Sequence, residues 1–400
     1  MLVPRLPPQY YLTKQRIARQ VRYIQRSLLD RGATARHLTD HPADCLLVYE
    51  SDCASTQYRV NHTAQLLESR NLNCRLIDLE TLDRINRFTW LANTRLVFLH
   101  RLPMTPALAR FIHAARRRRI PVVLDLDDAV HTPALYRHSA IYDVLSPLEK
   151  RIHDALAIRV GKTLDRVDAI TVSTQPLMEQ VQSTGKPIFC IPNRVSPSMI
   201  EAASAYTSPA HPSEITSHAI TLGYLSGTAT HHRDFQPLVP VLETIWETYP
   251  HVQLLLAGPL NLNPPIHPRF FDRITTLPLK PWPKFLSYYS KLDINLAPLE
   301  TANPFCEAKS AIKYLEAALL SIPTIASPTH DFRRLITPGK TGFLAHSPDD
   351  WLSTLTACIS DLTMCRNIGS AAHIHTCSEE TIAANSHIWD DILDNLGVFP

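Results

Sequence analysis

Short apolar runs recur along this chain, most of them separated from the next by a stretch long enough for a helix. The first series comprises Cys45–Ser51 (CLLVYES), Arg75–Glu80 (RLIDLE), Arg95–His100 (RLVFLH), Pro121–Asp128 (PVVLDLDD), Ala169–Thr174 (AITVST) and Ile188–Asn193 (IFCIPN). A second comprises Ala219–Ser226 (AITLGYLS), Val252–Gly258 (VQLLLAG), Ile274–Leu279, Ile294–Leu299 (INLAPL), Pro323–Ser327 (PTIAS) and Thr341–Ala345 (TGFLA). Helical spacing fills the gaps, as at Val60, Ala64 and Leu67, and again at Leu238, Val241, Leu242 and Ile245. Apolar strands alternating with helices predict parallel sheets covered on both faces. Right-handed crossovers then make each series a doubly wound unit. The expected fold class is α/β, with two tandem Rossmann-like doubly wound parallel-sheet domains facing a cleft.

Between Glu201 and His218 the pattern lapses into small and polar residues with Pro209 and Pro212, which reads as a linker. The expected division is therefore a helical extension at 1–40, a first domain at 41–200, a linker at 201–218, a second domain at 219–375 and a C-terminal segment at 376–400. Ligands of open parallel sheets bind at the carboxyl ends of the strands, so the strand-to-helix junctions are where chemistry is expected.

Composition narrows the classes. The chain has 400 residues, 45% hydrophobic and 19% charged, which excludes a disordered tail or a coiled coil. Glycine is scarce, at 10 residues, and neither GxGxxG nor GxxxxGK[ST] occurs, so a function built on glycine-rich phosphate loops is disfavoured. Eight cysteines without a CxxC pair point to reduced thiols and a cytoplasmic setting. There is no apolar run of membrane-spanning length and no apolar core of signal-peptide type. The net charge is +3, but residues 1–40 hold eight Lys and Arg against two Asp. Within that segment Ile17, Val21, Ile24 and Leu28 repeat at helical spacing, with Lys14, Arg19, Arg22 and Arg26 largely on other faces. A peripheral contact of residues 14–28 with an anionic membrane, at its inner face, stands beside simple docking of that helix on its own domain. Nucleic acid is not expected, because no other basic surface with interleaved aromatics is visible.

Two junctions concentrate candidate chemistry. After the strand ending near Ser226 come Gly227, Thr228, Thr230, His231, His232 and Arg233, with Asp234 as expected N-cap of the next helix. Gly227 permits close backbone approach, Thr228 can donate to phosphate oxygens, and Arg233 can neutralise them bidentately. The adjacent histidines lack a third ligand at useful spacing, so no metal is expected. After INLAPLE comes the junction Thr301–Glu316, whose helix has Ile312, Leu315 and Leu319 as its buried stripe. On that helix Lys309, Lys313 and Glu316 fall in one arc, suited to a diphosphate and a ribose, or else to a surface Lys313–Glu316 ion pair. In the first series Asp125, Asp127 and Asp128 end a strand and are candidates for binding Mg²⁺, contacting a hydroxyl or capping a helix. Arg59 and Arg101 lie near predicted element ends, as pairing arginines or acceptor contacts. The alternation His373, His375, Cys377 is a poor cage by itself.

Together VVLDLDDAV, GYLSGTATHHRDF, LLLAGPL, INLAPLE with NPFCEAKSAIKYLEAALLSIPTIASP, and GKTGFLA with PDDW resemble glycosyltransferases of the group 1 type (family 4, GT-B fold). The resemblance spans roughly residues 45–375 and is most specific from Ile294 to Pro328. It implies a retaining transferase, needing no cofactor or active-site metal, that takes sugar from a nucleotide-diphosphate sugar to a sugar or glycolipid hydroxyl, in surface polysaccharide or glycoconjugate synthesis. It also implies that Gly227, Thr228 and Arg233 hold the diphosphate, that Lys309, Ser310 and Lys313 sit on the same donor, and that Glu316 grips the ribose. Ser226 belongs to that donor set, Asp127 and Asp128 are the candidates for orienting the acceptor, and the C-terminal helix with Ile382, Ile388, Trp389 and Leu393 would cross back to the first domain. The family's pair of glutamates lies eight positions apart, whereas position 308 is Ala308 and the nearest acid is Glu307. A nucleotide-sugar epimerase and a non-catalytic sugar-nucleotide-binding subunit are the alternatives on the same fold.

Overall fold

The computed structural model describes residues 43–50, 55–83, 88–206, 219–226, 232–258, 260, 262 and 265–398. All twelve expected strands form, eleven trimmed by one to three residues and β2 starting one residue early and ending two early: β1 Cys45–Tyr49, β2 Cys74–Asp78, β3 Leu96–His100, β4 Val122–Leu126, β5 Ala169–Val172, β6 Ile188–Cys190, β7 Ile220–Leu225, β8 Val252–Ala257, β9 Ile274–Leu277, β10 Ile294–Ala297, β11 Thr324–Ala326 and β12 Phe343–Leu344. They build two six-stranded sheets, ordered β2-β1-β3-β4-β5-β6 and β12-β11-β10-β7-β8-β9, in which every pair is parallel. Central strands such as β3 and β4 are buried throughout, as expected of sheets covered on both faces.

Contacts divide the chain into two compact units. Unit 1 holds the chain up to Arg137, Val144–Pro192 and Asn385 onward; unit 2 holds His138–Asp143 and Asn193–Ala384. The helix Leu362–Glu379 thus lies wholly in unit 2, and the return to unit 1 falls at 385. There the helix Ser386–Asn395 packs Trp389 against Phe98 of β3, with ring centroids 5.9 Å apart, and Asp390 pairs with Arg70 at 2.7 Å. The basic segment 14–28 lies outside the described residues.

Part of the chain's proline content, 32 residues in 400, has a local cause. Thr105, Ser146, Thr174, Ser196 and Ser347 each cap a helix whose first or second residue is proline, where the missing N–H costs nothing. In each, the hydroxyl accepts from a backbone N–H of the first turn. Glycine is kept where a backbone approaches closely. A Cβ on Gly369 would lie 2.1 Å from the Ser321 carbonyl, so this residue lets Leu362–Glu379 settle on the turn before β11.

Candidate functional site

Within unit 2 the strand order has its topological switch between β7 and β10, which pair at Leu222↔Ile294 and Gly223↔Asn295. Connections leave these two strands in opposite directions, which opens a crevice at their carboxyl ends. The two junctions singled out in the sequence are the ones that follow β7 and β10.

Ser226 follows β7 directly and is fully buried, its N–H donating to the Ala257 carbonyl at 2.9 Å. Beside it Gly258 has φ +89°, and a Cβ there would sit 1.9 Å from the Ser226 carbonyl oxygen, so no larger residue fits. Gly227, Thr228, Thr230 and His231 lie outside the described residues. The short helix His232–Phe235 then presents Arg233 and Asp234. Asp234 is not the N-cap expected of it. It sits inside this helix, buried, where Oδ1 accepts from the Glu300 backbone N–H at 3.2 Å and from the Cys306 thiol at 3.4 Å.

Arg233 donates through Nε and Nη2 to Glu300 Oε2 at 3.1 and 2.8 Å, through Nη1 to Asp143 at 2.9 Å, and to the His138 carbonyl at 2.6 Å. Asn303 Nδ2 also donates to Glu300, at 2.7 Å. Lys309 Nζ lies 3.9 Å from Asp234 Oδ2 and 5.1 Å from the Phe305 ring centroid. Arg233 and Lys309 therefore meet in one cluster, linked through Glu300 and Asp234.

Two helical pieces follow β10, Pro304–Glu307 and Ile312–Ala318, and the helix expected to carry Lys309 starts only at Ile312. Lys309 occupies the break, whereas Lys313 and Glu316 lie on the second piece, so the three do not share one helix face. Asp331 Oδ2 holds the break by accepting from the Ala311 N–H at 2.7 Å. Lys313 Nζ sits 5.3 Å from the Tyr224 ring centroid. Burial, and after it the neighbouring Lys309 charge, pushes the Lys313 amine down to about 8. Asp234 and Glu316 act in the other direction but do not offset this. Glu316 is buried and accepts from the Tyr289 hydroxyl at 3.1 Å. Burial and that carboxylate push the Tyr289 hydroxyl well up, keeping it protonated as the donor. The Lys313–Glu316 surface ion pair weighed from sequence is thus replaced by two separate partnerships.

Glu307 and Ser310 are turned to local roles. Glu307 accepts from the His330 backbone N–H at 2.9 Å at the start of the helix His330–Leu335, and Ser310 Oγ accepts from Asn193 Nδ2 at 3.1 Å. Asp234, Glu300 and Cys306 also have the separations of a metal-ligand group. Burial and the Asp234 carboxylate push the Cys306 thiol up, away from the thiolate a metal would need, and the two carboxylates already face Arg233 and Lys309. The donor set fits an ion-pair network better than a cation. His373 Nδ1 lies 3.1 Å from each of the Ala318 and Leu319 carbonyls, which accounts for it without a metal.

In unit 1 the switch lies between β1 and β3. Arg59, expected near an acceptor, is instead 3% exposed on the helical stretch after β1. Its guanidinium donates to Asp125 at 2.6–3.2 Å and to the Ile191 carbonyl at 2.5 Å. Asp125 also contacts His100 Nδ1 at 2.8 Å and accepts from Thr171 Oγ1 at 2.7 Å. Despite the opposing effect of burial, Arg59 and these hydrogen bonds hold its carboxyl well below the usual range. Arg101, with φ +52°, donates to Asp127 at 2.9 Å and Asp128 at 3.5 Å. The acids of this strand end are thus paired with arginines, which displaces the readings of a carboxylate pair for Mg²⁺ and of a helix cap. Asp234 as a structural centre, Glu300, Tyr289 and Asp331 were missed in the sequence. The usable signal was Glu300, an acid three residues after the central strand β10.

Residues 219–362 match the family model described as glycosyl transferases group 1. A search of curated proteins finds no match. Among solved structures, HepE of Anabaena, in complex with UDP and glucose, aligns with TM-score 0.56 at 14% identity over 88% of this chain and 100% of its own. Sucrose-phosphate synthase from Thermosynechococcus elongatus aligns with TM-score 0.60 at 12% identity over 88% and 98%. A glycosyltransferase from Rickettsia africae aligns with TM-score 0.56 at 12% identity over 89% and 99%. At such identities the likeness is one of fold: the chain has the α/β architecture of GT-B glycosyltransferases, and its second half carries the group 1 match. Among the described residues no helix is long and apolar enough to cross a membrane.

Proposed function

We propose that this chain is a retaining, hexosyltransferase-type glycosyltransferase that binds a nucleotide-diphosphate sugar at the carboxyl edge of the unit 2 sheet and passes the sugar to a sugar or glycolipid hydroxyl. One observation carries the reading. Arg233, Lys309 and Lys313 converge from the junctions after β7 and β10 into one cluster, where burial and then the neighbouring Lys309 charge push the Lys313 amine down to about 8. A diphosphate is the anion that three converging cations suit. As the glycosidic bond to the leaving phosphate breaks, negative charge grows on its oxygens, and preorganised cations stabilise that state more than the bound donor. Arg233 and Lys309 exchange Glu300 and Asp234 for phosphate oxygens, while Lys313 adds a third charge. Glu316, fixed by Tyr289, accepts from ribose hydroxyls, and Ser226, Gly227 and Thr228 line the diphosphate. Ser310 and Glu307 border the donor through the break they stabilise. In unit 1, Asp127, Asp128 and Arg101 are the groups proposed to position the acceptor; Arg59 is withdrawn from that role. The proposed setting is the synthesis of surface polysaccharide or glycoconjugate in the cytoplasm, with charge neutralisation assigned to protein cations and no cofactor required.

The test is transfer, or donor hydrolysis, from a panel of labelled nucleotide sugars. Removing one such cation costs about 3 kcal/mol, or about a hundredfold in rate. Rates in Arg233→Ala and Lys309→Ala within a few-fold of wild type would remove the basis of the assignment.

A further inference from the structure

In unit 1, β3, β4 and β5 are successive neighbours, so the right-handed crossovers that join them place the helices Pro106–Arg117 and Pro147–Leu164 on one face of the sheet. Two hydrogen bonds tie them side by side: the Met104 N–H donates to the Arg159 carbonyl at 2.9 Å, and Arg159 Nε to the Met104 carbonyl at 2.6 Å. The first helix contains no acid, and its outward stripe carries Arg110 and Arg117. The outward stripe of the second runs through Leu148, Arg151, Ala155, Ile158 and Lys162, at spacings of three and four residues. Leu148 is 67% exposed and Ile158 47%. Large aliphatic side chains held in water on a stripe that also carries cations form the combination that suits a lipid–water interface.

We propose that this two-helix face docks on an anionic phospholipid surface, with Leu148 and Ile158 entering the headgroup boundary while Arg110, Arg117, Arg151 and Lys162 meet phosphates. Charge complementarity selects an anionic partner. The aliphatic character of the stripes, which carry no aromatic platform for bases, selects lipid over nucleic acid. None of the residues of this face belongs to the proposed donor site, so the proposal does not depend on the catalytic reading.

Vesicle sedimentation with the full chain tests it, using phosphatidylcholine alone and phosphatidylcholine mixed with phosphatidylglycerol. Wild-type protein pellets with the mixed vesicles and is released by salt. The variant Arg110→Gln/Arg117→Gln/Arg151→Gln/Lys162→Gln partitions at least ~100-fold more weakly at low ionic strength, since each cation contributes separately near such a surface. Leu148→Gln/Ile158→Gln lowers partitioning while leaving the salt dependence in place. All six positions are on the surface, so an unchanged urea midpoint certifies that each variant is folded. Both variants pelleting like wild type would overturn the proposal, as would binding to an RNA fragment without vesicle binding.

Discussion

Replacing Arg59 by methionine separates an internal ion pair from a ligand contact. In the native chain Asp125 is fully buried and takes hydrogen bonds from Arg59, His100 and Thr171, the shortest from Arg59 to this carboxylate being 2.6 Å. Methionine fills much of the same volume but leaves that carboxylate buried without its counter-charge, a change that costs about 3–5 kcal/mol. With a urea m-value near 3 kcal/mol/M, the unfolding midpoint of unit 1 should fall by roughly 1–1.7 M. The pH dependence supplies a second check. A carboxyl held below its unfolded value contributes stability above that unfolded value, and the contribution is lost as pH falls through the folded one. Without Arg59 the carboxyl of Asp125 rises, so the variant loses less stability on acidification than wild type. Adding Asp125→Leu should restore much of the loss, because the unpaired charge is then gone. Urea titrations of the single and double variants measure all of this. A midpoint change below about 0.3 M in Arg59→Met, corresponding to less than ~1 kcal/mol, would refute the buried-pair assignment.

Two further outcomes follow from the same structure. Lys313 titrates near 8, so a diphosphate arriving beside it should raise that value and draw in a proton around and above pH 8; calorimetry in buffers of different ionisation enthalpy should detect uptake in wild type and none in Lys313→Met. Gly369→Ala would bring a Cβ to 2.1 Å from the Ser321 carbonyl, and the forced shift of Leu362–Glu379 should cost roughly 1–3 kcal/mol, visible as a lower thermal midpoint of unit 2.

The sheets were legible because buried parallel strands leave a strong local signature. Runs such as LVFLH and VVLDL are apolar at nearly every position and are bounded by turn and capping residues, so both strand series could be placed from the sequence. Helix continuity after β10 was not legible. KSAIKYLEAAL has the spacing of one helix, but Ala311 is pinned by Asp331 from a segment twenty residues away, and no local pattern encodes that contact. Arg59 failed for a similar reason. Its partner Asp125 is distant in sequence, and the burial that turns a surface arginine into an internal one belongs to the tertiary fold. The cations Arg233 and Lys309 were readable as candidates from the junctions they occupy, whereas the carboxylates that gather them depended on bringing β7 and β10 together.

The central claim is that the cations after β7 and β10 form a diphosphate site, and calorimetric titration with a panel of nucleoside diphosphates tests it most directly. Wild type should bind at least one member, Arg233→Ala and Lys309→Ala should each weaken that binding by tenfold or more, about 1.4 kcal/mol, and Glu300→Gln should retain it. Binding unchanged in both cation variants, or no binding of any nucleoside diphosphate by wild type, would contradict the account.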